Sequence, residues 1–291
     1  MLLMVACGAL LAIGVVLAVR WSGERLRPPQ RPVALAARPA ATSDRGRWMP
    51  RHAAGLRLYL WWATVFTGIG TLSGLLITGA GGRLVMRLLA ATTPEAAGRS
   101  TEAQAIVGEI SPQGTLAYLV FGALPFAFAS AALYLLVAPW LPRGRWGGPV
   151  FGLLILVVVS PFVDPLRQAN VDFDVVGPGW LSVLAFAALS ILQGAFLAAV
   201  AGRLSRSLQL ISRERWAEPL APLLAAVVLL PIGVVLAAGA VIAFLAPRVL
   251  PWFLDLRASR RGVLVGRVLL GLGVLAALPA FVSAVFSIVQ R

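Results

Sequence analysis

Residues 81–115 read GGRLVMRLLAATTPEAAGRSTEAQAIVGEISPQGT. This stretch is the longest polar interval in which neither sign of charge dominates, and it separates two apolar runs, 58–80 and 115–141. Each run is longer than the roughly 20 residues with which an α-helix crosses the hydrocarbon core of a bilayer. The stretch therefore indicates a polar loop between two membrane-spanning helices.

The rest of the chain is equally apolar. Of its 291 residues, 59% are hydrophobic and 12% are charged, and the mean hydropathy is +0.89. About a quarter of the residues of a soluble domain are charged. We predict an all-α, polytopic transmembrane helix bundle with about seven spans. The other five apolar runs are 1–19, 148–163, 179–201, 219–246 and 262–289.

The composition divides the chain into three parts. Residues 1–19 are predicted to be an N-terminal transmembrane anchor that contains the single cysteine, Cys7, as a small apolar residue. Residues 20–57 hold nine arginines and several prolines, which is typical of a flexible linker. Residues 58–291 form the predicted bundle, with an ordered outer loop at 81–115. A start at Met49 would remove the first helix.

The formal net charge is +14, and all 25 basic residues are arginine. They lie in short loops between apolar runs, as expected for charges that orient a protein in the membrane. This distribution argues against a nucleic-acid partner. It predicts contact with the lipid bilayer, with the arginine-rich loops available to anionic lipid.

Arginine counting gives an orientation. With seven spans, the first, third and fifth loops and the C-terminal tail share one side with 16 arginines, and the other side has nine. The positive-inside rule then predicts the N-terminus outside and the C-terminus inside. The loop before the last helix, around 248–261, disagrees, because its four arginines and Arg267 just after it fall outside. One alternative is a re-entrant sixth helix broken at Pro231, which gives six crossings and places this loop inside. The other keeps the loop outside, where its arginines, Arg257, Arg260, Arg261 and Arg267, bind anionic lipid of the outer leaflet or pair with carboxylates.

The opening stretch contains signals for ordered structure. Arg83 and Arg87 are four residues apart and share a face if the stretch is helical. Thr93-Pro94 is a typical helix start, and residues 101–104, TEAQ, fit a capping box. We expect short interfacial helices that close over the outer end of the bundle.

Carboxylates and arginines of the two predicted outer loops form a candidate polar or ion site. Such a cluster at a membrane exit suits a cation, a proton or a polar solute. Alternatively, the acids only pair with the arginines and pin the loops together. Separately, Gln193 in the fifth span is expected to hydrogen-bond to a neighbouring helix. The six candidate residues are Arg83, Arg87, Glu102, Glu109, Asp164 and Asp172.

Catalytic motifs are absent from the sequence. The chain has no lysine for a phosphate-binding loop, and its only histidine, His52, lies in the predicted linker. We therefore predict no metal and no cofactor, and no motif predicts an enzyme. The predicted function is that of an integral plasma-membrane protein that transports or senses a small polar solute or ion. The alternative is a structural or interaction protein that binds a partner protein or anionic lipid.

The stretch resembles a segment of uncharacterised multi-pass membrane proteins of actinobacteria and related bacteria. The shared pattern is Met86-Arg87, Ala90, Thr92 and Pro94, followed by TEA at 101–103, VGEI at 107–110 and VDF at 171–173. The resemblance covers about half of the chain, from Leu58 to about Ala201. It implies a bacterial plasma-membrane protein with several spans, and it implies no activity.

Overall fold

The computed structural model describes residues 2–29, 45–102, 105–163, 166–167, 169–208, 223 and 229–291, and only the backbone of 45–50. These residues form helices, and no strand occurs among them apart from an isolated bridge between Ser100 and Ile106. The all-α prediction is confirmed. Among the described residues, five helices are long and apolar enough to cross a membrane, or six if a bent pair is counted as one span.

The described helices are numbered in chain order. They are α1 (Leu2–Arg20), α2 (Arg45–Ser73), α3 (Ala80–Ala91), α4 (Pro112–Tyr118), α5 (Leu124–Val137), α6 (Gly147–Val158), α7 (Gly179–Ser207), α8 (Leu230–Leu245), α9 (Val249–Ala258) and α10 (Arg260–Val289).

The second span is longer at both ends than predicted. It begins at Arg45, inside the predicted linker, and a π-helical segment, Gly74–Gly79, joins α2 to α3, which ends inside the predicted outer loop. The reason is amphipathicity. Along α3, Gly81 and Leu89 are buried while Arg87 is exposed, so one helix face satisfies the core and the other satisfies the polar residues.

From His52 onward, the first half of α2 packs against α8. Tyr59 Oη donates to the carbonyl oxygen of Leu236 at 2.7 Å, and the ring of His52 lies 5.4 Å from that of Phe244. Since the partner numbers rise as the α2 numbers fall, the two helices are antiparallel. Pro231 lies in the first turn of α8, where a proline is tolerated.

The predicted break at Pro231 lies instead after α8. The chain bends by 100° between α8 and α9. The segment expected to be a loop around 248–261 is therefore mostly the short helix α9. Residues 219–222 and 224–228 of the predicted sixth span lie outside the described residues.

Glycines bring the backbones of α6 and α7 close together. A Cβ at Gly152 would overlap the carbonyl oxygen of Ser190, and a Cβ at Gly194 would overlap that of Gly148. Close backbone approach of this kind is how small residues hold helices together where the surroundings are as apolar as the side chains. Gly70 and Gly74, which are four residues apart, serve a different contact, with side chains of α5.

The core lies between α2, α5, α6 and α7. Trp61, Ile69, Phe196 and Leu197 are almost completely buried there. The first helix also belongs to the bundle, since a Cβ at Gly14 would come within 3.2 Å of Leu76 Cβ. Cys7 is buried in α1 as a free thiol, which confirms its predicted place in the first helix.

The bundle has two ends, which differ in charge. We call the end where α1, α5 and α7 finish the basic end, and the opposite end the cap end. Arg257 of α9 donates from Nη1 to the carbonyl oxygens of Leu135 and Leu136, so α9 lies at the basic end. Arg291 lies at the cap end, because its Nη1 is 3.1 Å from Asp174 Oδ1.

This arrangement corrects the predicted position of the tail. Arginine counting places the tail with the first, third and fifth loops, whereas Arg291 lies at the opposite end from them. The physical reason is that α9 stays at the basic end, so that α10 starts there and finishes at the cap. A loop count made from apolar runs alone treats the sixth run as a full crossing.

We expect Gly152→Ala to destabilise the protein by about 1–3 kcal/mol, because a methyl group there forces the backbones of α6 and α7 apart. The expected measurement is a thermal midpoint in detergent lowered by several degrees. The matched control is Gly271→Ala in α10, where a Cβ meets nothing within 4 Å. Equal midpoints for the two variants would contradict the glycine contact.

Candidate functional site

Two loops form a cap over one end of the bundle, made of residues 92–102, 105–111, 166–167 and 169–178. Gly98 N donates to the carbonyl oxygen of Val107 at 3.1 Å, and Val107 N donates to that of Arg99 at 2.9 Å. Gly98 and Gly108 have φ of +83° and +90°, which glycine adopts without strain. Among the described residues 92–102 and 105–111, the predicted short helices occur as one 3₁₀ turn, Pro94–Ala96. Backbone hydrogen bonds hold the other described residues of this loop, and such bonds produce no helical pattern in the sequence.

The threonine expected to cap that turn has another role. Thr93 Oγ1 donates to the carbonyl oxygen of Gly177 at 2.6 Å and lies 3.0 Å from Gly177 N. Thr92 Oγ1 donates to the same oxygen at 2.8 Å. These contacts join the loop after α3 to the loop before α7.

Two of the six candidate residues are brought together. Arg167 Nη2 lies 2.8 Å from both carboxylate oxygens of Glu102, and Glu102 N donates to Asp172 Oδ1 at 2.7 Å. The side chains of Arg167 and Glu102 are 31% and 46% exposed. A pair as exposed as this contributes at most about 1 kcal/mol. The contacts therefore align the two cap loops with little energy.

The other described candidates do not join this cluster. Arg83 Nη2 donates to Thr115 Oγ1 at 2.8 Å, and Arg87 Nη1 donates to the carbonyl oxygen of Gly108 at 3.4 Å. Glu109 is exposed, and its carboxylate has no bonded partner among the described residues. Asp164 lies outside the described residues, as do Ala103 and Gln104 of the predicted capping box.

Two arginines that sequence analysis did not select complete the cap. Arg167 pairs with Glu102, and Arg291 pairs with Asp174 and donates to the carbonyl oxygen of Asn170 at 3.1 Å. No local pattern identifies them, because their partners are far away in sequence.

An internal cavity lies below the cap. A cavity of about 610 Å³ runs between α3, the α4–α5 segment, α6 and α7. Its walls are mostly apolar, and none of the described candidate residues lines it. Gln193, Thr78 and Tyr118 do line it. Thr78 Oγ1 is 3.2 Å from Gln193 Oε1, which confirms the predicted bond from Gln193 to a neighbouring helix.

Within the part of the chain that the structure describes, no group of three or more His, Cys, Asp or Glu residues is placed to hold a metal ion. Comparison with protein-family models, with curated proteins and with solved structures finds no match. The resemblance to multi-pass proteins of actinobacteria stays a prediction.

We expect Glu102→Ala to lower stability by less than about 1 kcal/mol, because the Arg167 pair is exposed. Protease cleavage within residues 99–109 should become faster, since the loop loses its contact with Arg167. Glu95→Ala is the control, because this exposed carboxylate has no bonded partner among the described residues. If Glu102→Ala instead abolished the flux of an ion or polar solute into vesicles at unchanged stability, the cap would be a solute site.

Proposed function

We propose that this chain is a multi-pass protein of the bacterial plasma membrane whose arginine-rich end lies in the cytoplasm and binds anionic lipid headgroups. The proposal includes six crossings and a re-entrant segment between α7 and α10. The observation that carries it is the unequal charge of the two ends.

Seven exposed arginines form what we call the basic face. The three segments that carry them, 20–29, 142–147 and 203–208, contain one acid, Glu24, which pairs with Arg206 at 3.0 Å. The other six arginines have no carboxylate among these segments to neutralise them. The members are Arg20, Arg25, Arg27, Arg143, Arg145, Arg203 and Arg206.

Specific contacts hold these segments together. Arg27 N donates to Ser205 Oγ at 3.0 Å, and the Arg203 guanidinium lies 5.9 Å from the centre of the Trp21 ring. A Cβ at Gly23 would be 4.0 Å from Arg145 N. The chain after α1 therefore lies across the end of α7 and beside the α5–α6 turn, which concentrates the positive charge.

At the cap end, by contrast, positive and negative charges balance. Its described residues include five arginines and five acids, and two pairs of these are in contact. Because arginine-rich loops stay in the cytoplasm, the positive-inside rule supports a cytoplasmic basic face and an outer cap. Anionic lipids of the inner leaflet attract each exposed cation by about 1 kcal/mol.

The helix directions support the crossing number. Helix α7 ends at the basic end, where the carbonyl oxygen of Leu208 accepts a hydrogen bond from Trp61 Nε1, and α9 lies at the same end. A segment that leaves and returns to one end is re-entrant. If the short helix α6 crosses with the five long helices, six crossings result.

Transport or sensing of a small polar solute or ion is the other function expected from the sequence. It depends on the cap acids, of which Glu102 is paired with Arg167 and the described members lie outside the cavity. The geometry supports lipid binding better.

We expect a membrane-impermeant maleimide to label Ala97→Cys in intact cells and to label Ser259→Cys only after the membrane is opened. Both positions are exposed, one in the cap and one between α9 and α10. The background variant is Cys7→Ala. Labelling of both positions in intact cells would favour seven spans, and labelling of Ser259→Cys alone would invert the orientation.

We expect the thermal midpoint to rise by several degrees when phosphatidylcholine nanodiscs are replaced by phosphatidylglycerol nanodiscs. In Arg143→Gln/Arg145→Gln the rise should shrink, since two of the seven attractions are lost. Salt should reduce the rise in the wild type.

The matched control is Arg87→Gln/Arg99→Gln, which removes the same charge from the cap end. Its midpoint should rise as much as that of the wild type. A rise that depends equally on both pairs would mean that net charge, rather than the basic face, attracts the lipid.

A further inference from the structure

The interhelical cavity has the size of a ligand site. Its volume of about 610 Å³ falls within the roughly 300–1,000 Å³ that small-molecule pockets occupy. Such pockets combine apolar walls with a few polar groups that orient the ligand. The walls here include Phe126, Ile155, Leu156, Phe186 and Leu189.

The cavity is open to the side of the bundle. Phe121, Leu133 and Val163 line it, and they are also among the exposed large hydrophobic side chains, with Phe121 83% exposed. In a membrane this side faces acyl chains. A ligand with an apolar body therefore enters from the bilayer without crossing water.

One polar group in the wall lacks a partner. Gln193 is 2% exposed, its Oε1 is bonded to Thr78, and its Nε2 has no hydrogen-bond partner. A buried donor without a partner costs about 1–3 kcal/mol. Because the terminal torsion of a glutamine is soft, the amide turns easily toward an acceptor in the cavity.

The remaining polar side chains of the wall are already bonded. Ser130 donates to the carbonyl oxygen of Phe126, Ser160 to that of Leu156, and Ser190 to that of Gly152. Tyr118 Oη donates to the carbonyl oxygen of Thr78 at 3.0 Å. Among the described residues that line the cavity, Gln193 Nε2 is therefore the donor left for a ligand.

We propose that this cavity binds a neutral, lipid-like molecule whose hydrocarbon part fills the apolar walls and whose carbonyl oxygen accepts a hydrogen bond from Gln193 Nε2. The carbonyl belongs either to the ester of a glycerolipid or to the ring of a quinone with an alkyl tail. Side entry rests on the membrane location proposed above, whereas the binding chemistry does not.

The test uses the full chain in detergent and three probes with medium-length alkyl chains: decylubiquinone, dioctanoylglycerol and decylbenzene. Decylbenzene lacks a carbonyl group. We expect Gln193→Leu to weaken binding of the preferred carbonyl probe about tenfold and to leave decylbenzene unchanged, because one hydrogen bond of about 1.4 kcal/mol is lost. The stronger of the two carbonyl probes identifies the source of the ligand.

A second variant tests the cavity independently of Gln193. Ala129→Phe in α5 fills the space and should abolish binding of all three probes, whereas Ala132→Phe, exposed on the same helix and outside the cavity wall, should not. Thermal midpoints verify that each variant folds. If Gln193→Leu does not fold, Ala129→Phe still tests whether the cavity is the binding site.

Equal binding of the carbonyl probes to wild type and Gln193→Leu would overturn the role of the amide. Binding that survives Ala129→Phe, or no binding of any probe to the wild type, would overturn the site. Because these measurements are made in detergent, they are independent of the labelling that tests topology and of the lipid dependence of the basic face.

Discussion

The backbone contact of α6 with α7 is the constraint on which the rest of the structure depends. In an apolar environment helices gain little from burying apolar side chains, so close packing must hold them. The 12 residues of α6 make it the shortest of the apolar helices proposed to cross, and Gly152 and Gly194 keep it against α7. Ile155 of α6 and Leu189 of α7 both line the cavity, so this one contact positions two of its walls.

The cap follows from the same contact. The end of α6 and the start of α7 are held together, which restricts the position of the loop between them. This loop places Arg167 and Asp172 beside Glu102. Glycine contacts also bring α10 against the start of α7, where a Cβ at Gly179 would come within 2.7 Å of Ile288 C. Arg291 consequently reaches Asp174. Packing therefore positions the charges, and the exposed ion pairs add little energy.

Helix type was predictable from the sequence, and helix ends were not. Apolar runs identify a helix wherever most positions are apolar. They miss α3, in which polar and apolar residues are mixed because only one face of the helix is buried. The side of Arg291 could not be predicted, since it depends on whether the chain around α8 crosses or returns. Gln193 was predictable as a bond between helices, because a lone amide in an apolar run needs a partner. The cavity was not predictable, because empty space depends on where several helices fail to meet.

The separation of charge from cavity limits what this protein can hold between its helices. Moving an isolated ion from water into an apolar site costs tens of kcal/mol unless opposite charges or dipoles surround it. The described wall supplies one amide donor, three serines, one threonine and one tyrosine, and it contains no charged side chain. An ion would therefore find no compensating charge there, whereas the proposed neutral ligand has no charge to desolvate and offers an acceptor to the Gln193 amide. The charged side chains of the cap and the basic face lie at the two ends of the bundle, and the cavity between the helices suits a neutral, apolar ligand.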